Sequence, residues 1–161
     1  NANRSDEVLS ATWDEFNLEE GTWTIPARRM KSKVSHTIPM SSQSLLLLNN
    51  LPRHLASEFV FPNVATGRSL SQAGMSSVLK RMGKAGEITV HGFRSTFRDY
   101  IAEQTDFDGA IAERALAHSL KNKAEAAYQR GRLIQKRREM MQVYSDFAYE
   151  TATEKSFTWY D

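Results

Sequence analysis

A chain of 161 residues with 40% hydrophobic and 25% charged side chains can build one domain with a real core and is neither disordered in composition nor of low complexity. It contains no cysteine, which excludes disulfides, thiol nucleophiles and thiolate metal sites and is compatible with a reducing cytosol. A formal net charge of +2 argues for no partner by itself, and the longest apolar run, "SLLLLNNL" at residues 44–51, is far too short to span a bilayer, so a soluble, non-secreted, cytoplasmic protein is expected.

Along the chain, "RSDEVLSATWDEFNLEEGTWTIP" predicts a helix starting near Ser5, whose hydroxyl can cap it, with Val8, Leu9 and Thr12 as a short apolar face. "GTWTIPA" and "SHTIPMS" alternate apolar and polar residues on either side of the basic connection "RRMKSKV", the pattern of an antiparallel hairpin with its cations at or near the tip. "SSQSLLLLNNLPRHL" predicts a helix capped by a serine and stopped before Pro52. "FVFPNVATGRSLSQAG" is full of turn residues and predicts a loop or a short strand; helical pattern returns at "SSVLKRMGKAG", ended by Gly83 and Gly86.

A further helix is predicted over about 91–104, another over "DGAIAERALAHS", and a last long one from about Leu133 into the 140s. In that last element Leu133, Ile134, Met141, Tyr144 and Phe147 share an apolar side opposite a charged one. The expected fold is α+β, mostly α-helical, with a small antiparallel sheet and no linker to divide it.

The stretch "TVHGFRSTFRDY" carries the most chemistry. On a helix, His91, Arg94 and Arg98 fall within roughly one sixth of the circumference, beside an apolar stripe of Phe93, Phe97 and Ile101. Such a helix buries its phenylalanines and directs an imidazole and two guanidiniums into a cleft suited to an anion. From His118 to Arg138 the chain carries Lys121, Lys123, Arg130, Arg132, Lys136, Arg137 and Arg138 against only Glu125, a charge run that suits either a phosphate backbone or a solvated helix face. The four histidines, at 36, 54, 91 and 118, are scattered and lack paired carboxylates at ligand spacing, so no metal site is expected and a two-metal nuclease is disfavoured.

Each of these features has an ordinary explanation when taken alone; their order is more specific. Arg4, "TWDEF", "RMKSKVSHTIP", "HGFR", "LAHS" and a tyrosine ten residues after that histidine resemble the catalytic domain of the tyrosine recombinases, the phage integrase family. The likeness runs from about residue 3 to about residue 147, and "RMK" ahead of Pro39 together with "AAYQRG" is most similar to integrases of prophages and genomic islands.

The resemblance implies a set of site residues. Arg4 matches the first arginine, Lys31 the hairpin lysine with Lys33 as the fallback, His91 and Arg94 the HxxR box, His118 the histidine of the "LGH" box, and Tyr128 the nucleophile. Ala117 stands where a glycine is common, a change expected to be harmless. The implied chemistry is transesterification through a 3′-phosphotyrosine, which stores the bond energy and needs no nucleotide cofactor or metal. A free phenol has a pKa of about 10, so Tyr128 needs nearby positive charge and a proton acceptor, for which His91 is the first candidate. Arg4 and Arg94 suit the non-bridging oxygens, Lys31 the proton needed by the leaving 5′-oxygen, and His118 a hydrogen bond to the scissile phosphate. Arg98 is expected to be a backbone-phosphate or structural contact, and Lys121, Lys123, Arg130 and Arg132 to position DNA without reading its sequence.

The implied partners are double-stranded attachment-site DNA and further protomers in a tetrameric synaptic complex, with no membrane involved. Two other readings are compatible with the same residues: a type IB topoisomerase, which relaxes one duplex, and a catalytically silent DNA-binding module. Because family members carry an amino-terminal DNA-binding domain and a leading helical segment before the first arginine, the resemblance implies that residues 1–161 are an amino-terminally truncated catalytic domain, with Arg4 poorly held and little unaided activity. The helix after Tyr128 is expected to dock its apolar side on a neighbouring protomer.

Overall fold

The computed structural model describes residues 2–53, 57–117 and 130–154, apart from the side chains of 130–132 and 151–154. Its sheet has three antiparallel strands in the order β1 (Phe16–Asn17), β2 (Thr22–Ile25) and β3 (His36–Pro39). Alternation sets the register. Trp23 lies opposite Ile38 and Ile25 opposite His36 on one face, while Thr24 and Thr37 meet on the other with their hydroxyls 3.0 Å apart. The hairpin is therefore as expected. The strand β1 is an addition, too short to show in the sequence; its Phe16 stacks on its register partner Trp23 at 5.1 Å between ring centroids. The helix α2 (Ser42–Asn50) covers this face through buried Leu48, begins with the Ser41 hydroxyl accepting from the Ser44 N–H, and ends ahead of Pro52.

The amino-terminal helix α1 (Ser5–Leu9) is only five residues long, and Ser5 is its first helical residue rather than its cap. The capping is done by Glu7, whose carboxylate accepts from the Arg4 backbone N–H at 2.9 Å. The helix α3 (Gln72–Arg81) starts ahead of the predicted pattern, directly after Ser71, and Gly83 at φ +68° follows its end. Then come α4 (Gly92–Gln104), α5 (Gly109–Ala115) and the long α6 (Arg130–Glu154). Among the described residues no helix is long and apolar enough to cross a membrane.

Apolar side chains gather in two clusters. Ala11, Trp23, Ile25, Met30, Ile38 and Leu48 form the sheet core. Phe97, Ile101, Ile111, Ala112, Met140 and Met141 form the helical core, with Tyr144 set edge-on against Phe97 at 5.0 Å. Two expectations change here. The buried stripe of α4 is centred on Arg94, Phe97 and Ile101, which rotates Phe93 out until it is 56% exposed. And α6 closes the protein's own helical core through Met140 and Met141, so part of its apolar side packs within the chain, while Val143, Phe147 and Tyr149 are 38%, 39% and 55% exposed.

Polar bonds join the two clusters. Arg137 of α6 is buried and donates to the Thr37 carbonyl at 2.8 Å, and Arg138 donates to the Glu20 and Gly21 carbonyls at 3.0 and 3.2 Å. Gly21 suits the turn because its φ is +61°, and a Cβ there would also crowd the Arg138 guanidinium at 3.0 Å. Two cations of the basic run thus face inward, donating to carbonyls of β3 and of the β1–β2 turn. Replacing Met140 by Ala is expected to cost about 2–5 kcal/mol of unfolding free energy in a urea titration; a loss below about 0.5 kcal/mol, the level of an ordinary surface change, would show that α6 does not close this core.

Candidate active site

The turn before α4 is closed by Thr89, whose hydroxyl oxygen accepts from the Gly92 N–H at 3.0 Å. This leaves His91 at the helix N-cap with an exposed side chain, while Arg94, three residues on, points inward and is 8% exposed. Its Nη1 donates to the Ala2 carbonyl at 2.6 Å and its Nη2 donates to the Leu116 carbonyl. One guanidinium therefore ties α4 both to the segment that leads into Arg4 and to the segment that leads into residue 118.

Arg4, expected to be loosely held so near the first residue, has a carboxylate partner. Its Nη1 donates to the Glu7 carboxylate at 3.0 Å, and Glu7 is itself buried. Arg4 and Arg94 lie within each other's electrostatic field. Burial first, and then the Arg4 charge, pull Arg94 below the ordinary arginine value, while Glu7 and Glu113 push it back.

Lys31 and Lys33 are exposed in the β2–β3 connection, where the Lys33 N–H closes a turn onto the Met30 carbonyl at 3.0 Å and Lys33 holds φ +56°. Arg98 pairs with Glu113 at 2.7 Å, linking α4 to α5. Ala117 adopts φ +52°, a left-handed conformation that costs an L-residue about 1–2 kcal/mol. An alanine in the place of the common glycine is thus strained rather than indifferent. His118, Lys121, Lys123 and Tyr128 lie outside the described residues; Arg130 and Arg132 are in the first turn of α6, with their side chains outside the description.

The residues that sequence reasoning passed over sit around this pair. His36, counted there only among scattered histidines, places Nε2 3.4 Å from the Ala115 carbonyl. Burial and the Arg137 charge lower its pKa from 6.5 to about 4, with Arg94 adding to the effect. Beside it opens a cleft of about 460 Å³ bounded by the hairpin, Arg114, Leu133, Ile134 and Arg137. Arg29 turns in below the hairpin to reach Glu15. Strand alternation did place His36 on the same face as Ile25, the one signal that pointed to its burial.

Residues 2–132, which contain the paired arginines, His36 and the hairpin, match the model of the phage integrase family. The chain belongs to that family. This integrase domain is 35% identical over 145 residues to the protein named Prophage integrase IntA of Escherichia coli (strain K12), covering 89% of the chain and 35% of that protein. It is 35% identical to the Integrase of Enterobacteria phage P4, covering 89% of the chain and 37% of the relative, and 32% identical to the Integrase of Shigella phage Sf6, covering 91% and 39%. The chain spans somewhat over a third of the length of these relatives.

His36 gives the domain a defined acid sensitivity. Its folded pKa lies below its unfolded one, so the unfolded chain binds more protons between the two; stability is full above about pH 6.5 and falls as pH drops toward about 4, by up to about 3 kcal/mol. Urea unfolding at about pH 7 and about pH 4.5 is expected to show a smaller stability difference for His36→Gln than for the wild type. Equal differences would mean that His36 is not buried neutral.

Proposed function

We propose that the protein carries out site-specific DNA recombination, breaking and rejoining strands by transesterification through a 3′-phosphotyrosine. Family membership sets the class of reaction. The observation that carries the reading is the pair Arg4 and Arg94: two guanidiniums close enough for the charge of one to act on the other, Arg4 bonded to a buried carboxylate and Arg94 to two carbonyls. Both keep their charge as the attacked phosphate gains negative charge, Arg94 acting through its field because its Nη1 and Nη2 are engaged by carbonyls.

In this reading the Tyr128 Oη attacks the scissile phosphorus, a Tyr–O–P bond forms as the P–O5′ bond breaks, and the number of phosphodiester links is unchanged. His91 takes the phenolic proton, Lys31 gives one to the leaving 5′-oxygen, and His118 donates a hydrogen bond to a non-bridging oxygen. The cationic lining of the cleft, Arg114 and Arg137 with the hairpin beside it, suits a DNA backbone, with Lys33, Lys121, Lys123, Arg130 and Arg132 as further positioning contacts. Residues 1–161 form the catalytic domain. Recombination takes place in the cytoplasm on attachment-site DNA, in a tetramer that holds two duplexes.

A suicide substrate nicked beside the cleavage position traps the covalent adduct in the full-length protein. Tyr128→Phe is expected to abolish the adduct and leave DNA affinity nearly unchanged; collapse of affinity would make Tyr128 structural. Paired attachment sites separate recombination from relaxation of one duplex, since only a recombinase exchanges flanks. Arg94→Ala has two expected effects. Adduct formation slows by about two to three orders of magnitude or more. Stability falls as well, because the Ala2 and Leu116 carbonyls lose their donor, at about 1–3 kcal/mol for each buried group left unpaired. A mild loss of cleavage would refute the clamp.

A further inference from the structure

The connection from β2 to β3, residues 26–35, carries Lys31 and, among the described residues, pairs with no strand. A loop of that length holds its central residues in place only if something anchors it. Two successive residues do so. Met30 is 2% exposed in the sheet core, and the Arg29 side chain turns back beneath the loop. Its Nη1 donates to the Glu15 carboxylate, which is 7% exposed and also accepts from Trp23 Nε1 at 3.0 Å. Its Nη2 donates to the Glu7 carbonyl at 2.6 Å and to the Ser10 hydroxyl oxygen at 2.8 Å.

Glu7, whose carbonyl Arg29 holds, is the residue whose carboxylate holds Arg4. Among the described residues, Arg29 makes all the hydrogen bonds between this connection and the α1 segment. The path from Lys31 to Arg4 therefore runs through one side chain: Lys31 leaves the anchored Met30, Arg29 precedes it, and Arg29 grips the helix that begins after Arg4. The planar fork matters, since a single guanidinium reaches three acceptors on two segments where an ammonium acts as one point charge.

We infer that Arg29 is a positioning residue, which sets Lys31 at its working distance from the Arg4–Arg94 clamp by bonding the hairpin to α1 and Glu15. The inference rests on the proposed reading, in which Lys31 protonates the leaving 5′-oxygen. Arg29 acts through Lys31 and leaves the clamp in place, because Arg4 keeps its own carboxylate and Arg94 its carbonyls.

Leaving-group chemistry tests this. In an ordinary substrate the P–O5′ bond breaks and the oxygen takes a proton. With a 5′-bridging phosphorothiolate the P–S bond breaks and the thiolate departs without one. Adduct formation is measured on both substrates under single-turnover conditions for the full-length wild type, Lys31→Ala, Arg29→Lys and Arg29→Ala. Arg29→Lys keeps a cation against Glu15 and loses the fork. It is expected to cleave the ordinary substrate about 10- to 100-fold more slowly, the scale of a misplaced reacting group. On the sulfur substrate it should stay within about threefold of wild type, because no general acid is needed there.

The ratio of the two rates is read within one preparation, so a reduced folded fraction lowers both rates and leaves it unchanged. If Arg29→Ala does not fold, the ratio for Arg29→Lys decides. Equal slowing on both substrates, or no slowing on either, overturns the inference. Absence of a wild-type adduct, or a Lys31→Ala loss that the sulfur substrate does not relieve, overturns instead the reading on which it rests.

Discussion

A single buried guanidinium holds the site together. Arg94 reaches across 92 residues to the Ala2 carbonyl and across 22 to the Leu116 carbonyl, so the segments at residues 2 and 116 are both fixed relative to α4 by one side chain. Burying a charge is costly, and the cost is offset only where polar acceptors meet it at close range. Here two of the acceptors are carbonyls, which supply hydrogen bonds without a charge of their own, while Glu7 and Glu113 favour the charged form and Arg4 opposes it.

The arrangement also explains where the site lies in the fold. The sheet core and the helical core are separate apolar clusters, and the residues of interest occupy the polar seam between them. Arg94 comes from the helical side, Arg4 from the segment that leads into α1, and Lys31 from the sheet side, with His36 and Arg137 bridging β3 to α5 and α6. A cleft placed between two packed layers inherits its geometry from both.

Much of this was legible in the sequence. Alternation predicted the hairpin, the serine ahead of the leucine run and the proline after it marked α2, and "HGFR" opened a helix within a residue of its observed start. What periodicity could not convey is where long cations turn. Arg29 read as a cation at or near the hairpin tip, and Arg137 and Arg138 as part of a run suited to a phosphate backbone or a solvated helix face, yet each bonds a backbone carbonyl, and carbonyl positions depend on packing that no local pattern encodes. The same gap hid the rotation of α4 that exposes Phe93, since a stripe of apolar residues does not say that an arginine will share the buried face. The left-handed backbone at Ala117 was hidden because its residue type argues against it.

The outer strand β3 has one more consequence. A strand with a neighbour on one side only offers its free edge to other molecules, a common route to runaway sheet growth. In β3 that edge is blunted: Pro39 has no N–H to donate, and the Thr37 carbonyl is already taken by Arg137 of the helix lying across it. A foreign strand would have to evict a buried guanidinium before it could pair along β3, so this side of the sheet resists end-on growth into fibrils.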